Sequence, residues 1–136
     1  MPSSSALRTR IEARLAEQRR LVTQLLELRD QLPGSVFARY GRCGKSNCSC
    51  AEGRGHGPYY VLSNRSGGQG SFMYIGRGRV TKTRELVHRY KRFKVGLSRL
   101  HALNDDLVAL LREYQQFSAA DAARALSSRS AQEKSR

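Results

Sequence analysis

Two stretches with helical spacing of apolar residues bracket a middle segment that has none. From about Ala6 to Leu32, the positions Leu7, Ile11, Arg14, Gln18, Leu21, Leu25, Leu28 and Leu32 advance by alternating steps of four and three, the seam of a coiled coil. Arg14 and Gln18 interrupt that seam, while Leu15, Val22 and Leu26 broaden it enough to meet more than one neighbour. Pro33-Gly34 predicts the stop. A second helix is predicted from near Thr81 or Thr83, with Thr81 as a cap and Glu85 near the capping-box position, to about Phe117. Its seam reads Leu86, Tyr90, Phe93, Leu97, Leu100, Asn104, Leu107, Leu111 and Tyr114. Asn104 breaks it, and either fixes register or faces solvent where the seam drifts.

Between the helices the period changes. Ser35 to Tyr40, Tyr59 to Asn64 and Ser71 to Ile75 read as short strands, the last two joined by a glycine-rich hairpin loop from Arg65 to Gly70. Tyr60 and Leu62 should face one way and Tyr59 and Val61 the other, with Phe72 and Tyr74 sharing a face. At least one aromatic pair is expected in the core and the other is free to stack on bases, core packing being the better reading for any single ring. So small a sheet is marginal alone and needs a metal or a helix beneath it. Residues 118–136, rich in Ala, Ser and Arg, read as a flexible tail with at most a helical turn or two at its start.

The expected class is α+β: a long antiparallel, coiled-coil-like helical hairpin with a small zinc-stabilised two- or three-stranded β segment at its tip. The division would be a helix over 1–33, a metal-binding β segment over 34–79, a helix over 80–117 and the tail. Helices of roughly 27 and 35 residues would be on the order of 40 and 50 Å long. Leucine seams of that length leave apolar surface that predicts a homo-oligomer formed through the helices.

Charge sharpens this picture. The 136 residues carry a net charge of +14, yet residues 34–99 hold fourteen Lys/Arg against only Glu52 and Glu85, so nearly the whole excess lies there. A concentration of that kind suits a polyanion, because neutralised phosphates release counterions. The expected nucleic-acid contacts are Arg39, Arg42, Lys45, Arg54, Arg65, Arg77, Arg79, Lys82, Arg84, Lys91 and Arg92. Residues 84, 91 and 92 share a helix face away from the seam.

The densest chemistry is the run from Cys43 to His56, which holds all three cysteines in the spacing Cys43-x4-Cys48-x-Cys50-x5-His56. Three thiols and an imidazole among glycines suit a tetrahedral site, with zinc the usual occupant of a Cys3His set. Two other readings stand beside it: buried cysteines acting as small hydrophobes, and a thiol switch at Cys48 and Cys50 activated by Arg42 and Lys45. His56 is either the fourth ligand or part of a Gly-His-Gly turn, and the site lies either within one chain or between two. His88 and His101 read as surface or seam-edge residues. Enzyme signals are weak: there is no nucleophile triad, no P-loop and no acidic pair placed for two-metal chemistry, and a closed four-ligand shell argues for structure rather than catalysis. No segment resembles a signal peptide or a membrane span, and three cysteines cannot all pair, so the expected compartment is the reducing cytoplasm, without a membrane partner.

Leu-Pro-Gly-Ser-Val at 32–36, Arg-Tyr-Gly-Arg-Cys-Gly-Lys-Ser-Asn-Cys-Ser-Cys at 39–50 and Gly-His-Gly-Pro-Tyr-Tyr at 55–60 together resemble an uncharacterised family of small prokaryotic proteins. Its members are often encoded near transposases. The resemblance spans about residues 30–115. It implies the metal site, the β segment and following helix, and an accessory role beside a transposase or recombinase, but no mechanism. The function expected on all these grounds is a non-enzymatic, zinc-stabilised nucleic-acid-binding protein, DNA before RNA, of a mobile element or recombination system. The alternatives are a coiled-coil interaction adaptor and a thiol redox sensor.

Overall fold

A computed structural model of the chain describes residues 2–65, 68 and 70–136. Ser66, Gly67 and Gln69 of the hairpin loop expected from Arg65 to Gly70 therefore lie outside the described residues. The main elements are α1 (Ser4–Glu27), β1 (Ser35–Gly41), β2 (His56–Asn64), β3 (Ser71–Ile75) and α2 (Val80–Lys134), an α+β set with one antiparallel sheet in the order β1-β2-β3. The chain divides into two units, Leu28–Val95 and the remainder formed by the segments up to Glu27 and from Gly96 to Arg136.

In the helical unit, α1 begins two residues earlier than the apolar spacing predicts, because Ser3 caps it. The Ser3 hydroxyl accepts from the Ala6 amide at 3.1 Å and its carbonyl accepts from the Leu7 amide at 3.0 Å. Leu7 and Leu25 are buried, and Ile11, Arg14, Gln18 and Leu21 are half-buried between them, so the predicted seam holds through this helix. Across from it lie Gly96, Leu100, Leu103, Leu107 and Leu110, spaced four and three. The partners run in opposite order along the two segments: Leu25 against Gly96, Glu17 with Arg99, Arg14 with Asp106, and Arg8 with Tyr114.

That second seam keeps the predicted Leu100 and Leu107 but takes Gly96, Leu103 and Leu110 in place of Leu97, Asn104 and Leu111. Leu97, Asn104 and Leu111 are exposed, which places Asn104 off the seam and removes it as a register device there. The shift originates at Gly96, where a Cβ would lie 2.3 Å from Leu25 Cδ2. A glycine is invisible to a search for apolar residues, yet here it is the seam position, because only a bare backbone admits the leucine.

Both helix ends also depart from expectation. α1 stops at Glu27 rather than at Pro33, since Arg29 turns into the left-handed region with φ 55°. Leu28 and Leu32 therefore leave the helix and become half-buried in the other unit, where the Leu32 amide donates to the Leu86 carbonyl at 3.1 Å. α2 starts at Val80 after a 3-10 turn over Arg77–Arg79, so Thr81 lies inside it and caps nothing; Glu85 pairs with Lys82 and Arg89 instead of completing a capping box. At its far end α2 continues to Lys134, and the predicted flexible tail is helical nearly to its end. Residues 118–134 contain no proline or glycine, and alanine, glutamine, arginine and lysine suit a solvent-facing helix. An Arg124–Asp121 pair at 2.8 Å adds to it.

In the unit Leu28–Val95, the register sets Val36 opposite Leu62 opposite Met73, and Phe37 opposite Val61 opposite Tyr74. Leu62 lies on one sheet face with Tyr60, where the Arg84 guanidinium of α2 sits 5.5 Å from the Tyr60 ring centre. Val80 and Val87 are the buried residues that α2 contributes to this unit.

Candidate metal centre and basic surface

The end of the sheet builds the cysteine cluster. β1 runs out at Gly41, which pairs with His56, the first residue of β2, past an irregularity between Arg39 and Gly41. The fourteen residues from Cys43 to His56 therefore leave and return at one point. A turn closed by the Cys48 amide on the Lys45 carbonyl (3.2 Å) leads into a 3-10 turn over Ser49–Glu52, which carries Cys50 inward to a buried position.

His56 is held from both sides. Gly55 (φ 96°) and Gly57 (φ 140°) both lie in the left-handed region, and a Cβ on either would sit 2.8 Å from backbone, of Gly41 and of Arg39 respectively. The Gly-His-Gly sequence is thus a close approach of two strands that presents the imidazole, which joins the two readings of His56 into one.

The donor atoms of Cys43, Cys48, Cys50 and His56 all lie within 4.8 Å of one another. The Cys43 and Cys50 sulfurs are 3.4 Å apart, and Cys48 Sγ lies 3.3 Å from His56 Nε2. Tetrahedral coordination at a metal–sulfur distance of about 2.3 Å sets neighbouring sulfurs roughly 3.8 Å apart, so modest adjustment makes a shell. All four donors come from one chain, and a Cys3His set of this closeness is compatible with a metal site.

The thiols differ in character. The Lys45 backbone amide, then the Cys50 thiol, hold the Cys43 thiol below its ordinary value. At Cys50 the Cys43 amide favours the thiolate, but the hydrogen bond with the Cys43 thiol, burial and the nearby Cys48 outweigh it and push that thiol up. Packed this tightly, the sulfurs resist ionising together unless a cation shares them.

The basic side chains of this unit are exposed, some beside the cluster and others at the far end of the sheet, where Ser35 pairs with Ser63. Arg39, Arg42, Lys45, Arg54, Arg65, Arg77, Arg79, Lys82, Arg84, Lys91 and Arg92 are all exposed, and only Lys82 among them joins an ion pair within the described residues. The Arg54 guanidinium lies 5.1 Å from the Tyr40 ring centre, as Arg84 does over Tyr60 at 5.5 Å. The structure brings Arg65 and Lys91 together in a cleft of about 400 Å³ lined also by Gly34, Ser35, Ser63, Tyr90 and Lys94. Lys94, Ser35, Ser63 and Tyr90 are absent from the nucleic-acid contacts expected from the sequence. The i, i+3 spacing of Lys91 and Lys94 was the available signal, but the two serines meet only through the Ser35–Ser63 strand register. No described helix is long and apolar enough to cross a membrane.

An α+β chain with a three-stranded sheet and a Cys3His cluster at one end of it defines the class. The chain belongs to the family described as Domain of unknown function (DUF6788), which matches residues 8–85 and so takes in most of α1, the sheet, the cluster and the start of α2. No curated protein and no solved structure matches it.

Proposed function

We propose that the protein is a non-enzymatic, zinc-stabilised nucleic-acid-binding accessory factor, acting on DNA beside a mobile-element recombinase. The observation that carries this reading is the crowding of exposed cations, nearly all without carboxylate partners, into the unit that the Cys3His cluster closes. Zinc fits the donor set of three thiols and an imidazole, and its role is to hold the end of the sheet. Arg65, Lys91 and Lys94 line a cleft that Ser35 and Ser63 also border, with no acid among its described lining residues, which suits a phosphate.

The helices form an antiparallel coiled-coil hairpin on this reading, and Leu15, Val22 and Leu26 support dimerisation, because all three are exposed on α1 at spacings of seven and four.

A mobility-shift titration across salt tests the binding. Affinity should fall steeply with salt, and neutralising Arg65, Lys91 and Lys94 together should lower the slope of log affinity against log salt by up to about 2.7 for duplex DNA. Binding that is absent at low salt, or indifferent to salt, sinks the reading. Metal analysis tests the clasp: one zinc per chain, lost in Cys48→Ser. A metal-free protein in which Cys48 or Cys50 oxidises reversibly would favour the redox reading instead, with Cys43, whose sulfur lies 3.4 Å from that of Cys50, as a second thiol in reach.

A further inference from the structure

The sheet face opposite Leu62 is built from three cross-strand rows: Ser35, Ser63 and Phe72; Phe37, Val61 and Tyr74; Arg39 and Tyr59. Four aromatic rings on one small face would ordinarily be a core. Here only Val61 is buried, at 1% exposure, while Phe37 is 38%, Tyr59 48%, Tyr74 66% and Phe72 67% exposed. Phe37 and Phe72 meet edge to face across the middle strand, with centroids 6.4 Å apart, which accounts for the covered valine. The expectation that a single ring is better read as core therefore fails for Tyr59, Phe72 and Tyr74.

We infer that this face is a stacking platform for single-stranded nucleic acid. The inference rests on the nucleic-acid reading above and names the form of the strand. Two properties select this occupant. Exposed rings gathered on one sheet face offer π-faces to unstacked bases, which a duplex hides inside its helix. The surrounding charge fits the phosphates that accompany those bases: Arg39 lies on the face itself, Arg65 directly follows β2, and Arg77 and Arg79 follow β3. No acidic residue occurs between Glu52 and Glu85, so nothing in that span repels a polyanion. An apolar protein partner would be served by the rings but not by this charge.

The test uses the full metal-loaded chain with a mixed-sequence 20-nucleotide DNA single strand and the duplex of the same sequence, read by fluorescence anisotropy. The single strand should bind at least about tenfold more tightly. Phe72→Ser and Tyr74→Ser should each weaken it about tenfold or more, with duplex affinity unchanged. Both side chains are largely exposed, so the substitutions remove little core. Should a variant fail to fold, quenching of tyrosine fluorescence in the unaltered chain by the single strand and not by duplex carries the same test. Equal affinity for both forms, with no response to Phe72→Ser, overturns the platform and leaves the nucleic-acid reading standing. Conversion of a dimer to a monomer by Tyr74→Ser overturns it in favour of a subunit interface. Failure to bind either form at low salt removes both readings.

Discussion

The two units of this chain solve the same problem with opposite means. The helical unit hides a seam of leucines: Leu7, Leu25, Leu103, Leu107 and Leu110 are buried, and Gly96 lets Leu25 reach the backbone. Among its described residues the unit Leu28–Val95 buries only Val61, Leu62, Val80, Val87 and the sulfur-bearing Cys50, while leaving Phe37, Tyr59, Phe72 and Tyr74 in solvent. A core that small does not hold a segment of this size against its conformational entropy. The contrast teaches where a metal would matter: in the unit whose aromatic side chains stand largely in solvent.

The sharpest way to break that contrast is to withdraw the metal. Structural zinc is worth about 10–16 kcal/mol of apparent free energy in small finger peptides, so a chelator should unfold the β unit outright. Amide signals from β1, β2 and β3 in an NMR spectrum should collapse towards random-coil shifts, with helical signals from α1 persisting. Unchanged strand signals in excess chelator would show that the four donors hold nothing.

The converse experiment removes apolar contact from the helical unit. Leu103 is 2% exposed, and Leu103→Ala should cost about 2–5 kcal/mol, seen as a lower midpoint in thermal or denaturant unfolding. Metal content should stay at that of the unaltered chain. If Leu103→Ala also releases metal, the two units do not stand on separate supports.

These differences explain what could be read in the sequence. Strands show through local alternation and glycine punctuation, so all three were legible to within a few residues, and the four donors were legible from spacing. The seam of α1 was legible because leucines mark it. In the seam of α2, Leu100 and Leu107 were legible, but the alternate positions were misread by one residue because the first of them, Gly96, carries no side chain, and Leu97 and Leu111 offered a false continuation. The end of α1 was hidden for a similar reason: Arg29 adopts a backbone conformation that its identity does not announce. The exposed aromatic face was the largest surprise. Composition ranks rings as core, and only the strand register together with their exposure shows otherwise.

A finer probe asks whether the clasp depends on backbone approach as well as on ligands. Gly57→Ala forces a side chain into a left-handed conformation with its Cβ 2.8 Å from the Arg39 carbonyl oxygen. The expected cost is about 1–3 kcal/mol, read as roughly a tenfold or greater loss of metal affinity in competition with a chromogenic chelator. Gly53→Ala is the control, since φ there is −134° and the nearest atom, the Ser49 carbonyl oxygen, is 3.9 Å away. Equal metal affinity in both variants would remove strand approach from the account of His56.

The smallest effect belongs to the helical unit's ion pairs. Arg99 donates to Glu17 and holds its carboxyl below the ordinary carboxylate range, with Arg14 and Arg20 adding to the pull against desolvation. A folded value lowered in this way contributes stability that is complete above the unfolded carboxylate value and is lost as pH falls through the folded one. Glu17→Gln should therefore lower the thermal midpoint slightly at neutral pH and make no difference once the medium is acid enough to protonate the glutamate. High salt should shrink the neutral-pH difference, because the pair is solvent-accessible. Thermal unfolding of the two proteins, followed at helical wavelengths from neutral to acid pH, makes the comparison. Curves that stay parallel down to strong acid would mean that Glu17 stabilises the helices through packing and not through its charge.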